Sequence, residues 1–246
     1  MKTRADLLLV ARGLFDSRAK ARAAIEAGGV TADGRSVTRP SELLANDAEV
    51  EAAPAHPWVG RGALKLAHAL ELWPVTVEGR VVLDIGASTG GFTEVCLQCG
   101  AALVYAVDVG RGQLHSKVAT DPRVINMEST DARGLTPVQI PKAPGLIVAD
   151  VSFISLEKAM PAALALAGEG ADLLALVKPQ FEVGRGNVGK GGIVTDASAQ
   201  TAALETVKAF VTASGWTVQA TADSPIAGGD GNREYLLWAR RVAQRT

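Results

Sequence analysis

The sequence predicts an α/β protein in which a small α+β module precedes a mostly parallel sheet covered by helices on both faces. Three observations point there. From Val81 onward, short apolar runs alternate with helical segments, the pattern of strand–helix units that build parallel sheets. A glycine-rich turn, Gly86-Ala87-Ser88-Thr89-Gly90-Gly91, follows the first of those runs. The head of the chain carries helix, turn and hairpin signals of its own before Pro54 and Pro57. The chain is therefore divided into a module over 1–56, a linker over 57–62 and a body over 63–246.

In the module, Leu7, Leu8, Val10 and Leu14 suit a first helix that Gly13 weakens or ends. Asp16 and Ser17 offer N-cap chemistry for a second helix over 17–27, which Gly28-Gly29 stops. On that helix Ala21, Ala24 and Ile25 face inward, and Arg18, Lys20 and Arg22 face outward. Strand-like pieces at Val30-Thr31 and Ser36-Val37-Thr38 flank Asp33-Gly34, a hairpin turn signal, and Glu49-Val50-Glu51 closes the module by alternation. In the body, strands are predicted over 81–85, 103–107, 123–127, 146–150, 173–178, 216–221 and 235–239. Helices are predicted over 63–72, 91–98, 156–166 and 197–214. Such sheets bind ligands at the carboxyl ends of their strands.

Composition narrows the function classes. Apolar residues make up 48% of the 246 and charged residues 21%, which excludes a disordered chain. Aromatics at 4% argue against a binder that stacks many bases. Two cysteines cannot form a disulfide framework, which suits a reducing interior. The N-terminus has too short an apolar run for a signal peptide, and Glu169 and Asp172 break the most apolar later stretch, so neither export nor a membrane span is expected. The net charge of −1 hides an asymmetry: residues 1–40 hold eight Lys/Arg against four acids. A basic head on a neutral body suits a polyanionic partner as well as an ordinary solvated face.

Site candidates cluster where the strands end. Val81–Ile85 runs through Asp84 into the turn, where Gly86 and Gly90 let a ligand approach the backbone. The order is D-x-G-x-x-x-G-G, with Ser88 where a dinucleotide turn wants glycine. Asp84 suits a bound ammonium, directly or through water; Asp108, ending the next strand, suits ribose hydroxyls; and Asp131, after the third, suits an adenine amino group. Each acid also suits the plainer role of capping a turn. Asp150 ends the fourth strand and Lys178 the fifth, and a lysine after an apolar run needs a partner. Lys65 on the first body helix and Glu234 at the last strand complete two lysines and two acids able to meet above the sheet.

These motifs carry resemblances. Ser17-Arg18-Ala19-Lys20-Ala21, Gly28-Gly29-Val30 and Asp33-Gly34-Arg35 resemble the S4-type RNA-binding domain. The turn, continuing through Phe92-Thr93, resembles the first motif of S-adenosylmethionine-dependent methyltransferases. Together with V-A-D-V-S-F-I-S-L and V-K-P-Q-F-E-V-G-R, the chain resembles the TlyA (hemolysin A-type) family of rRNA 2′-O-methyltransferases, whose Rossmann-like body is akin to the FtsJ/RrmJ enzymes. The resemblance implies a seven-stranded methyltransferase sheet, S-adenosyl-L-methionine as cofactor, ribosomal RNA or ribosomal subunits as partner, a cytidine target, no metal and a cytoplasmic setting. It places the family's Lys-Asp-Lys-Glu tetrad on Lys65, Asp150, Lys178 and Glu234, with Lys178 contacting the ribose 2′-oxygen, Lys65 beside it and the acids holding the lysines. Cofactor contacts fall on Asp84, Gly86, Ser88, Gly90, Gly91, Phe92, Asp108, Asp131 and Asp150, and RNA contacts on Arg4, Arg18, Lys20, Arg22, Arg61, Arg185 and Lys190. One departure stands in the linker: Ala63 replaces a family glycine, which puts the local geometry in question if positive φ is needed there.

Other features have plainer readings. Gly184–Gly191 nearly spells a P-loop but lacks the final hydroxyl residue; it is either a plain loop or a basic flap carrying Arg185 and Lys190 to RNA. Cys96-x-x-Cys99 lies late in a helix, with too few other ligands for zinc. Trp58 and Phe153 are read as packing residues. Two rival functions remain: a catalytically inactive RNA-binding or assembly factor, and a cytolysin, which the family's hemolysin name suggests but no membrane-spanning pattern supports.

Overall fold

The computed structural model, which describes residues 1–184, 188–228 and 231–242, divides into two units, Met1–Pro57 and Trp58–Thr246. The first unit contains β1 (Lys2–Arg4), α1 (Ala5–Ala11), α2 (Arg18–Glu26), β2 (Val30–Ala32), β3 (Arg35–Ser36), β4 (Leu43–Ala45) and β5 (Val50–Ala52). Ser17 caps α2, its Oγ accepting the Lys20 N–H at 3.3 Å. Asp33 and Gly34 both take positive φ, 50° and 72°, the combination that a type I′ hairpin turn demands. Strands β3, β2 and β5 pair in that order, and β1 pairs with β4. The β1–β4 pair was not predicted, because Lys-Thr-Arg and Leu-Leu-Ala are too short to alternate. The first helix ends before Leu14, which is exposed; Phe15 fills the core instead.

The second unit contains α3 (Ala63–Leu72), β6 (Val81–Ile85), α4 (Gly91–Gln98), β7 (Leu103–Val107), α5 (Ser116–Ala119), β8 (Val124–Met127), β9 (Leu146–Ala149), α6 (Leu156–Ala159), α7 (Pro161–Leu166), β10 (Asp172–Val177), α8 (Pro179–Glu182), α9 (Ala197–Ala213), β11 (Trp216–Asp223) and β12 (Tyr235–Arg241). Seven strands form one sheet in the order β11-β12-β10-β9-β6-β7-β8. The five from β10 to β8 are parallel, and β12 runs antiparallel to β10 and β11. The fold class is the predicted one. A single helix over 156–166 was expected, but the structure breaks it at Met160, because Pro161 has no N–H to continue the ladder.

Period-two alternation sorts the strands onto two faces. Leu83, Ile85, Tyr105, Ile147, Leu173 and Val177 pack with α6, α7 and α9 residues on one face. Val82, Val104, Leu146, Val148, Leu174 and Leu176 pack with Leu66, Phe92 and Val95 on the other. With both faces covered, the open ground is at the carboxyl ends of β6, β7, β9 and β10. Among the described residues no helix is long and apolar enough to cross a membrane.

Candidate active site

The glycine turn is shaped by close approach. Gly86 has φ 82°, and a Cβ there would lie 2.6 Å from the Asp150 carbonyl oxygen. Gly90, at φ 92°, caps α4 in the left-handed region, where a Cβ would meet Leu114 at 2.8 Å. Ser88 holds φ 46° without being glycine, a strained residue at the centre of the turn. Its N–H donates to Asp108 Oδ2 at 2.8 Å, and the Gly110 N–H donates to Oδ1 at 2.7 Å. Two backbone amides thus fix the Asp108 carboxylate at the end of β7.

A cavity of about 370 Å³ opens beside this turn, lined by Gly86, Ser88, Asp108, Gln113, Asp131, Asp150 and Phe153 among others. Its size falls within the range of small-molecule sites, roughly 300–1,000 Å³. A second cavity, about 150 Å³, shares Gly86, Ser88, Asp150 and Ser152 with it and adds Gly62, Gly91, Phe92 and Lys178. Of the nominated cofactor residues, Gly90 shapes the turn without lining either cavity.

The acids differ sharply. Asp84 is fully buried and lines neither cavity. Thr93 Oγ1 donates to its Oδ2 at 2.6 Å, and its Oδ1 has no partner. Burial pushes its carboxyl up to about 7, against the Thr93 hydrogen bond and with the help of Asp150 and Asp108. Asp131 reaches the large cavity, but Arg133 already holds both its oxygens, at 3.0 and 2.6 Å. That guanidinium lowers its carboxyl to about 2, so an adenine amino group there shares an engaged acceptor.

The four chemical candidates form two ion pairs. Lys178 Nζ lies 2.6 Å from Asp150 Oδ1 and donates to Ser152 Oγ at 2.9 Å. Lys65 Nζ lies 2.5 Å from Glu234 Oε2. Lys65, Lys178 and Glu234 are all buried. The Lys178–Asp150 pair lines the smaller cavity, whereas Lys65 and Glu234 line neither. Gly62 lies at the start of α3 and lines the smaller cavity: its carbonyl accepts the Lys65 backbone N–H at 2.9 Å, and a Cβ on it would sit 3.3 Å from Asp150 Oδ2. Ala63 begins α3 without positive φ, so alanine is accommodated where a glycine was expected.

Phe153 corrects the packing reading. It is 92% exposed at φ 66°, on the rim of the large cavity, its ring 5.3 Å from that of Phe181. Following Val151 and Ser152, it reads as one more apolar residue of the strand end; its backbone, at positive φ, leaves the ring outward. Trp58 does pack, half-buried against the α3–α4 side of the sheet. Cys96 is buried and Cys99 exposed, both free. No group of three or more metal-ligating side chains occurs among the described residues.

The nominated RNA-binding cations are largely paired. Arg4 and Arg18 both bind Asp6. Lys20 meets Asp16, and Arg22 meets Glu26 at 3.9 Å. Exposed Arg61 reaches the Ala227 carbonyl at 3.4 Å. Arg185 and the side chain of Lys190 lie outside the described residues.

Against known proteins, the FtsJ-like methyltransferase family profile matches residues 58–241, and an S4 domain profile matches residues 3–50. The chain is 45% identical over 246 residues to the 16S/23S rRNA (cytidine-2′-O)-methyltransferase TlyA of Mycobacterium tuberculosis, covering 99% of this chain and 92% of that one. It is 37% identical to Hemolysin A of Brachyspira hyodysenteriae, over 95% of this chain and 98% of that one. A solved hemolysin-type chain from Streptococcus thermophilus superimposes with TM-score 0.78 at 42% identity, covering 98% of this chain and 89% of that one.

Proposed function

The chain belongs to the FtsJ-like methyltransferase family, and from that membership we propose that it transfers a methyl group from S-adenosyl-L-methionine to a ribose 2′-hydroxyl of ribosomal RNA, at a cytidine. The observation that carries this reading is the Lys178–Asp150 pair, set at the carboxyl ends of β10 and β9 and lining a cavity that adjoins the glycine turn. The fit to the cofactor rests on the cavity of about 370 Å³ beside the glycine turn, lined by Gly86 and Ser88, and on the Asp108 carboxylate in its wall, fixed by two amides for a ribose diol. When bound, the cofactor supplies a methyl already activated on a sulfonium. The protein is left to orient the attacking hydroxyl and accommodate the charge that develops on its oxygen.

Lys178 does the second task. Its ammonium, held by Asp150 and Ser152, stabilises the negative charge that develops on the 2′-oxygen as the hydroxyl attacks and its proton passes to solvent water. Asp150 fixes that ammonium so that no reorganisation is needed as charge builds. Lys65 and Glu234 neutralise each other in a buried pair, at the start of a helix whose preceding residue, Gly62, lines the smaller cavity with Asp150 and Lys178. Phe153 offers an exposed ring on which the target base can stack. The first unit supplies cations for phosphate contact, which position RNA without reading its bases. Ribosomal RNA as substrate implies a cytoplasmic setting. The deciding experiment is transfer of labelled methyl to ribosomal subunits with the modified nucleotide mapped. A label on ribose is expected; a label on a base, or none, overturns the reading.

A further inference from the structure

We infer that Asp6 is a positioning residue for RNA binding: a buried carboxylate that holds Arg4 and Arg18 as one preorganised two-guanidinium surface for phosphate. This rests on the RNA-binding reading above and assigns a part of it to a residue that touches no RNA. Asp6 is 0% exposed. Its Oδ1 accepts from Arg4 Nε at 3.0 Å, and its Oδ2 accepts from Arg4 Nη2 at 3.1 Å and Arg18 Nη2 at 2.9 Å. The three residues come from different places: Arg4 ends β1, Asp6 lies in the first turn of α1 and Arg18 opens α2. One carboxylate therefore gathers two cations that the chain would otherwise hold apart.

Both arginines stay open to solvent, with side chains 44% and 55% exposed. Each guanidinium has five N–H donors. Asp6 takes two from Arg4 and one from Arg18, leaving three and four for an outside acceptor. Their long side chains ordinarily lose much rotamer freedom on binding; here Asp6 fixes them beforehand. The other bases of the unit are arranged differently. Arg12 is committed to the Asn46 and Ala48 carbonyls, and the partners of Lys20 and Arg22 are exposed acids. Within this unit only Asp6 is a buried anion, and it holds two outward cations.

The proposal makes a prediction opposite in sign to simple charge counting. Asp6→Asn removes a negative charge beside a basic surface, so charge alone predicts tighter RNA binding. Positioning predicts weaker binding. With the full chain and a fluorescent 16S rRNA transcript, Asp6→Asn is expected to bind about five- to tenfold more weakly at about 100 mM salt, with the slope of log affinity against log salt shallower by roughly one to two, as for the loss of one or two phosphate contacts. The KM for RNA should rise while kcat at saturating RNA stays within about twofold, a split expected when docking rather than chemistry is lost. Asp16→Asn, which deletes an exposed carboxylate from the same unit, should bind as tightly as the parent or tighter. An Asp6→Asn protein that melts like the parent and binds equally or more tightly overturns the proposal. If that variant melts early, Arg18→Lys decides: it keeps the charge but loses the planar fork, and parental affinity there also overturns the proposal. A parent chain whose RNA affinity ignores salt would sink the RNA-binding reading itself, whereas steep salt dependence shared by parent and Asp6→Asn sinks only the role of Asp6.

Discussion

Strand β10 has a buried charge at each end, and the two ends differ. At its start Asp172, 0% exposed, accepts from Arg80 at 2.7 Å, Trp238 at 2.9 Å and Arg240 at 3.0 Å. Just past its end, buried Lys178 meets Asp150 and Ser152 and also faces a cavity. The Asp172 cluster joins β10, β12 and the turn before β6, with three donors enclosing one fully buried acid. The Lys178 cluster has room for another molecule. Burial of charge alone therefore does not mark a site; burial of charge against an open volume does.

The comparison is broken most severely at Lys178. Lys178→Ala should lower methyl transfer by roughly a hundredfold to ten-thousandfold, the scale of losing a positioned acid–base or oxyanion-stabilising group. Cofactor affinity, measured by calorimetry, should stay within a few-fold, since the glycine turn and Asp108 are untouched. Turnover like the parent's would show that the cavity is incidental. Asp172→Asn should do the reverse. It leaves two guanidiniums beside a neutral amide and should destabilise by about 3 kcal/mol, a Tm lower by roughly 6–12 °C in a chain this long. Transfer per folded molecule should be unchanged in a thermal melt paired with an assay below the transition.

Much of this contrast was legible in the sequence. Asp150 and Lys178 stood out because each ends an apolar run, and a parallel sheet brings the carboxyl ends of β9 and β10 together. Asp108 was legible for the same reason, one strand over. Asp172 was noted only as a break in a hydrophobic stretch: its partners lie 92 and 68 residues away along the chain, and no local pattern encodes such distances. Asp84 read as a cofactor contact, but burial depends on how α4 packs over the turn, and there Thr93 closes it off. Phe153 was missed because its exposure follows from one strained φ. The Arg4–Asp6–Arg18 fork was hidden for a similar reason, since outward-facing bases look alike until a buried partner singles some out.

Asp84 sharpens the comparison from below the turn. Its carboxyl, pushed by burial up to about 7, titrates near the ordinary 3.8 when unfolded. Below that lower value both states hold the proton. As pH rises toward 7, the unfolded state gives it up while the folded state keeps it, so stability falls with pH across this window and levels off above it. Asp84→Asn removes that dependence. Relative to the parent, the variant should gain on the order of 2 kcal/mol between pH 5 and pH 8, measured by urea unfolding at each pH. A parallel pair of stability profiles would place Asp84 in a polar environment instead.

The smallest effect tests whether the sealed Lys65–Glu234 pair matters to the chemistry. Gly228 has no positive φ, so its backbone admits alanine, but a Cβ there would lie 2.6 Å from Glu234 Oε1. Glu234 is only 3% exposed and cannot swing into solvent. The added methyl must therefore move the carboxylate off Lys65 or push the turn away. Gly228→Ala is expected to destabilise the fold by about 1 kcal/mol, typical of mild overpacking. If the pair takes part in the chemistry, methyl transfer should fall about tenfold with the KM for RNA unchanged. A variant that loses stability and keeps its full rate would make Lys65–Glu234 the counterpart of the Asp172 cluster: a buried charge pair that holds the fold and leaves the chemistry to Lys178 and Asp150.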